Sequence, residues 1–347
     1  MTPYWRKLLL PFVPFYYLGV WVIQKAYDYQ IFKSEKYTHP IITIGNLNVG
    51  GTGKSPFVAY LFSKMKAQNY QISSLSRGYG RKTSGFIEVL TSHHAKTVGD
   101  EPLQFKKTFP DCTVIVDENR KRGISKLLKL THYKSIIVLD DAFQHRKVQA
   151  GLQIVLTSYS DLYCDDILLP AGNLREPISG AKRANIILVT KCPKRLTPED
   201  QSKIISKLVP TDKQRVFFTY IVYSDLIFGN KSSTEMYTKS LQDFSSESFH
   251  LVTGIANPKP LVAHLKSLKA NFTHTNYPDH YNFTSKDISE LSKHSKILTT
   301  QKDYMRLQNE TTLQGKLFYL PISIGFLGKE KQFLDIVTAF VSSYQGF

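Results

Sequence analysis

The stretch Gly50-Gly51-Thr52-Gly53-Lys54-Ser55 joins three glycines to a lysine and a hydroxyl, a combination suited to a polyphosphate. Glycines let backbone amides converge on an anion at a helix N-terminus, where the dipole already favours negative charge. Lys54 then reaches the β- and γ-phosphates, and the Ser55 hydroxyl ligates Mg²⁺. With Asn48 and Val49 in front, residues 48–55 make the expected nucleotide cradle. Asn48 stands where such loops usually carry their first glycine, five residues before Gly53. A second constellation, Asp140-Asp141, closes the apolar run SIIVLDD (135–141). One aspartate can hold Mg²⁺ through water or Ser55, leaving the other for acid/base work or for orienting the first. Which of the two touches the metal stays open.

Four further polar runs offer groups that can meet a substrate. SRGYGRK (76–82) presents Arg77 and Arg81 on a glycine-rich loop, suited to anionic oxygens. VGDEP (98–102) places two carboxylates before a proline, and LLPAGNLREP (168–177) sets Arg175 beside Glu176. YPDHYNFT (277–284) puts Asp279 next to His280. Taken singly, each such run is more often a surface loop than a site. The base specificity also leaves a trace. GTP-binding loops read guanine with Asn-Lys-x-Asp, whereas Thr190-Lys191-Cys192-Pro193 lacks the aspartate, so ATP is favoured. Membrane-cycling ATPases carry an extra lysine where this loop has Val49.

These groups need a scaffold that brings loop ends together. Ile41 to Ile44 reads as a buried strand, and Phe57, Val58, Leu61, Phe62 and Met65 follow at helical spacing. Pro56 suits a first helical turn. Strand-like runs recur at 71–76, 113–116, 135–140, 153–157 and 186–191, several of them separated by helical patterns. That alternation predicts an α/β fold with a mainly parallel sheet covered on both faces, of the phosphate-loop NTPase type, with ligands at the carboxyl ends of its strands. VFFTYIVYSDLIFG (216–229) reads as a long β segment followed by a polar tract. A second, smaller α/β unit follows, with strands at 250–255, 296–300 and 316–324 and a closing helix at 333–341. The expected division is an N-terminal helix at 1–28, a phosphate-loop unit at 29–215, a β linker at 216–247 and the smaller unit at 248–347.

The 45 basic against 28 acidic residues give a net charge of +17, which points to a polyanionic partner. Nucleic acid, an anionic lipid surface and a phosphorylated substrate all qualify, although no zinc finger or RNP-like aromatic motif is present. The three cysteines lie far apart without metal spacing, as in a reducing compartment. Between Lys7 and Lys25, 17 residues carry no charge and many are aromatic. As a helix they extend about 25 Å, slightly short of a ~30 Å hydrocarbon core. Pro11 and Pro14 disturb the first turns, and the site for signal-peptide cleavage is poor. A membrane-associated helix, spanning or lying in one leaflet, is expected, with a buried core helix as the alternative.

Together GNLNVGGTGKSPF, LSRGYGRK, GDEP, LDDAFQHR, LLPAGNLREP, VTGIANP, PDHYNFT and TTQKDYMRL change the weight of each run alone. In this order the chain closely resembles the tetraacyldisaccharide 4'-kinases of lipid A synthesis, through at least Leu307. The resemblance implies a bacterial kinase at the cytoplasmic face of the inner membrane. It would use ATP and Mg²⁺ to phosphorylate the 4'-hydroxyl of an acylated glucosamine disaccharide 1-phosphate, giving lipid IVA. Its partners would be that lipid and the membrane surface, with no nucleic acid. The resemblance makes Asp100 the base and His280 its partner, and sets Lys54, Asp141 and Glu176 among the catalytic groups. Ser55, Asp140, Asp141 and Glu176 go to the metal side, and Arg77, Arg81, Arg120, Gln144 and Arg175 to the substrate.

Overall fold

The computed structural model describes residues 4–130, 135–230, 236–279 and 281–344. The apolar runs assemble into a nine-stranded sheet. In spatial order its strands are Ile322–Phe326, Arg215–Tyr223, Ile186–Thr190, Leu152–Ser158, Ile41–Asn46, Ser135–Asp140, Gln71–Ser76, Thr113–Val116 and Ile87–Glu88. Inner neighbours pair in parallel, and only the two outermost strands run antiparallel. Ile41–Asn46, Ser135–Asp140 and Ile186–Thr190 are buried along their whole length, because helices cover both faces. Ile41–Asn46 lies against Ser135–Asp140 with Ile44 opposite Asp140. The glycine loop and the aspartate pair therefore leave the sheet side by side at its carboxyl edge.

The helix behind the glycine loop, Lys54–Ala67, buries Phe57, Val58, Leu61, Phe62 and Met65, as their spacing predicts. They meet Phe105, Phe109, Phe217 and Phe333 in one apolar cluster on that face of the sheet. A second sheet of six strands runs in the order Met236–Ser240, Leu226–Asn230, Leu317–Leu320, Ile297–Thr300, Phe249–Thr253 and Phe272–Asn276. Its last four strands pair in parallel.

Two runs that read as continuous strands are each divided between the sheets. VFFTYIVYSDLIFG supplies Arg215–Tyr223 to the first sheet and Leu226–Asn230 to the second. KLFYLPISI supplies Leu317–Leu320 to the second sheet and Ile322–Phe326 back to the first. Pro321 stands at that break, where a residue without an N–H cannot continue a ladder. The two crossings lie together, with the Ser224 N–H donating to the Pro321 carbonyl at 3.1 Å. Residues 322–342, expected in the smaller C-terminal unit, thus pack on the nine-stranded sheet. The helix Glu330–Ser342 buries Phe333, Val337 and Val341 there. The segment expected as a linker instead gives strands to both sheets, Met236–Ser240 pairing with Leu226–Asn230.

At the N-terminus Tyr4–Phe12 is a 3₁₀ helix and Val13–Asp28 an α-helix. The change falls between Pro11 and Pro14, as proline's missing N–H requires. At about 2.0 Å and 1.5 Å per residue the two parts make a rod of roughly 40 Å. Leu8, Phe15, Leu18, Trp21 and Ile23 are exposed on it. Its other side is fastened to the body: Arg6 binds the carbonyls of Pro170 and Gly172, and the Tyr16 hydroxyl donates to the Arg175 carbonyl at 2.9 Å. Among the described residues, this is the one helix long and apolar enough to cross a membrane.

Candidate active site

Gly53 precedes the helix Lys54–Ala67 with φ of 86°, a left-handed conformation open to glycine, and its α-carbon faces Thr190. The loop before it is clamped from two sides. Thr190 Oγ1 donates to the Thr52 carbonyl at 2.7 Å, and the Lys191 ammonium donates to the Gly51 carbonyl. On the other flank the Val49 N–H donates to the Asn173 carbonyl at 2.7 Å, and the Arg175 N–H to the Leu47 carbonyl at 2.8 Å. Asn48 Nδ2 reaches Asp166 Oδ2 at 3.2 Å. The LLPAGNLREP run therefore serves as an extra strand-like edge for the glycine loop. The N-terminal helix is attached to that same run.

Lys54 Nζ donates to Asn46 Oδ1 at 3.0 Å and lies 3.4 Å from Asp141 Oδ1. Arg175 Nη1 contacts the same carboxylate at 3.0 and 3.2 Å. Burial alone would raise the Asp141 carboxyl, but Lys54 and Arg175 outweigh it and hold it below the usual range. Its neighbour behaves oppositely. Asp140 is buried, and its carboxyl is pushed up to about 7 by that burial and next by the nearby charge of Glu101. Asp140 Oδ1 has no protein partner. It borders a small hollow shared with Glu101, Ser74 and Ser76.

Glu101 is the residue that sequence reasoning left without a role. Burial would raise its carboxyl, yet Lys302 and the Ser55 hydroxyl keep it lowered. Ser55, Glu101 and Asp140 thus surround a spot where two carboxylates meet with one unpartnered oxygen, a donor set that suits a hard cation. Among the described residues no three His, Cys, Asp or Glu groups converge to hold an ion unaided. A Mg²⁺ ion here fits only as in other phosphate-loop proteins, with phosphate oxygens and water completing its shell.

Other expected residues fall elsewhere. Glu176 is fully buried, and its oxygens are taken by Arg183 at 2.7 Å, Gln144 at 2.9 Å and Gln24 at 3.1 Å. The structure does not bring it to Ser55 and Asp140; it braces the loop from behind. Gln144 also donates to the Asn46 carbonyl at 2.8 Å, so it links that brace to the loop strand. Arg81 turns from the cleft to Glu118 at 2.5 Å and the Gly85 carbonyl at 2.9 Å. Arg77 lines the cleft, and so does Arg120. Arg120 binds the Asp117 and Asp140 carbonyls, and its guanidinium is pushed down to about 10 by burial and next by Arg77. Asp100 lies on the cleft wall, at the start of the helix Asp100–Thr108. Gly99 before it has φ of 95°, and a side chain there would meet the Tyr79 carbonyl at 2.9 Å. His280 lies outside the described residues.

Glu176→Gln keeps the shape of the brace but removes the charge opposite Arg183. Breaking one partner of a buried pair costs about 3 kcal/mol, so the urea midpoint should fall while the Mg²⁺ requirement of turnover stays the same. A raised Mg²⁺ requirement with unchanged stability would return Glu176 to the metal.

All the cleft groups face one cavity of about 2370 Å³ between the two sheets. Small-molecule pockets run to roughly 1,000 Å³, so this one has room for a nucleotide and a second substrate. Its far wall carries Asn257, Asp279, Lys302 and Tyr319 from the six-stranded side.

A parallel sheet whose glycine loop feeds Lys54 and Ser55 into a helix, with an aspartate pair on the adjacent strand, defines a phosphate-loop nucleotide-binding protein. The family described as tetraacyldisaccharide-1-P 4'-kinase matches residues 5–342. The chain belongs to that family. It is 44% identical over 331 residues to the tetraacyldisaccharide 4'-kinase of Flavobacterium johnsoniae, covering 94% of this chain and 95% of that one. To the enzyme of the same name from Parabacteroides distasonis it is 40% identical over 356 residues, covering 97% and 95%. Among solved structures, LpxK from Aquifex aeolicus in complex with ATP superposes with a TM-score of 0.76 at 28% identity, covering 97% of this chain and 99% of that one.

Proposed function

We propose that this chain transfers the γ-phosphate of ATP to the 4'-hydroxyl of a tetraacyldisaccharide 1-phosphate, the step that yields lipid IVA in lipid A synthesis. The observation that carries the reading is the single cleft in which the glycine loop, Lys54 and the aspartate pair face Asp100. In that cleft the amides of residues 50–54 hold the triphosphate. Lys54 leaves Asn46 for the β/γ-oxygens, while Arg175 keeps Asp141 ionised beside it. Ser55 and Asp140 would hold Mg²⁺, with Glu101 next to them, and the bound ion would supply charge neutralisation at the transferred phosphoryl group. Asp100 takes the proton of the sugar hydroxyl, with His280 as its partner. A carboxylate outside the metal's coordination shell is better placed for this than Asp140 or Asp141, whose oxygens the metal would occupy.

The apolar side of residues 5–28 binds the cytoplasmic leaflet of the inner membrane and meets the lipid there. Basic side chains add attraction to anionic headgroups. Deleting residues 1–28 should release protein from membranes and raise the KM for lipid more than the KM for ATP. Full sedimentation with membranes and unchanged lipid kinetics would contradict the anchor.

Incubating the full chain with ATP, Mg²⁺ and the disaccharide lipid tests the function itself. Label passing from γ-labelled ATP to the lipid is the expected result. ATP turnover stimulated by DNA or by bare vesicles, with no labelled lipid, would overturn it.

A further inference from the structure

The helix Gln301–Leu307 belongs to the six-stranded side of the cleft, yet its two cations reach carboxylates on the opposite side. Arg306 Nε and Nη2 donate to Asp100 Oδ2 at 2.8 and 2.7 Å. Its Nη1 donates to Asp303 Oδ1 at 2.9 Å. Asp303 is fully buried, and its other oxygen accepts from the Gly254 N–H and from Thr300 Oγ1, both at 2.8 Å. One turn earlier, Lys302 pairs with Glu101.

Charge counting separates this cluster from an ordinary structural ion pair. Asp303 alone already neutralises Arg306, so the guanidinium needs no second carboxylate for compensation. The second carboxylate that Arg306 grips, Asp100, lies on the wall of the substrate cleft. The guanidinium is a rigid planar fork. Anchored on one side by a buried aspartate, it fixes the rotation of whatever carboxylate it grips on the other.

We propose that Arg306, carried by Asp303, is a positioning residue that sets the Asp100 carboxylate for proton transfer. This inference rests on Asp100 being the proton acceptor. It makes alignment of the base depend on docking of Gln301–Leu307 against Asp100–Thr108. Among the described residues, the charged groups around Asp100 include Arg306, Lys302 and Asp303 from the first helix and Glu101 from the second. Lys54, from the phosphate loop, and Asp279, from the segment after Phe272–Asn276, line the same cleft.

The test compares Arg306→Ala, Arg306→Lys and Asp100→Asn in the full chain, by kcat, both KM values and kcat against pH. Misplacing a reacting group costs about 10- to 100-fold, so Arg306→Ala should lose that much kcat while the KM for ATP stays within about twofold. Its acid limb should move to higher pH, because removing the cation disfavours the carboxylate form. Arg306→Lys should move kcat and limb in the same direction but less, and serves as the reading if the alanine variant fails to fold. Millimolar guanidinium should restore part of the alanine variant's kcat. Unchanged kcat, or a loss that follows the thermal midpoint and ATP binding with the limb unmoved, would overturn the proposal. If Asp100→Asn is inactive while both Arg306 variants behave normally, only the positioning role fails. If Asp100→Asn keeps its activity, the base assignment fails and the positioning role with it.

Discussion

Replacing Lys54 with alanine should lower kcat by about 10²- to 10³-fold or more, the usual cost of removing a charge-stabilising donor from a dry site. Phosphoryl transfer leaves the protein little covalent chemistry, so positioning and charge stabilisation are most of catalysis. Lys54 is the group that can change partners, from Asn46 Oδ1 and Asp141 to the β/γ-oxygens. The fold should survive the substitution. Asp141 keeps its pairing with Arg175, and Asn46 Nδ2 remains bonded to the Asn48 carbonyl at 2.5 Å. Ser55→Ala should lose turnover as well, by removing a hydroxyl from the metal side. Single-turnover kinetics with a circular dichroism control checks both. Near-normal kcat in Lys54→Ala would remove the phosphate loop from the reaction.

Asp100→Ala should lower kcat by about 10²-fold or more, the range for a lost general base. ATP binding should change little, because the triphosphate cradle lies on the glycine loop and not on the helix Asp100–Thr108. His280→Ala should be milder. The double variant should fall far short of the product of the single effects, since residues acting as one unit are not additive. Two small effects that simply multiply would refute the pair while leaving the kinase assignment standing. Thermal midpoints belong beside the rates, because Asp100 also grips Arg306 across the cleft.

Much of this was legible in the residues themselves. The 3.6-residue spacing from Phe57 to Met65 and the β-rich run before Asp140 fix strand, loop and helix locally, and all of those apolar side chains are buried. Direction was harder to read. Arg81 and Glu176 sit in polar loops that look ready for ligands, but each is consumed by an internal partner, Glu118 and Arg183, whose proximity is a tertiary fact. Pro321 was visible inside KLFYLPISI, yet nothing local says that the strands on its two sides join different sheets. Glu101 and Lys302 are 201 positions apart in the chain. Lys302 and Arg306 stood in TTQKDYMRL without a role because their partners lie on a distant helix.

The position of the new phosphate tests the account most directly. Product made by the full chain from ATP, Mg²⁺ and the disaccharide 1-phosphate lipid can be read by ³¹P NMR and tandem mass spectrometry. The account predicts a second phosphomonoester on the 4'-oxygen of the distal glucosamine, with the 1-phosphate intact and no product from Lys54→Ala. A pyrophosphate at the 1-position, or inorganic phosphate released with the lipid unchanged, would contradict it.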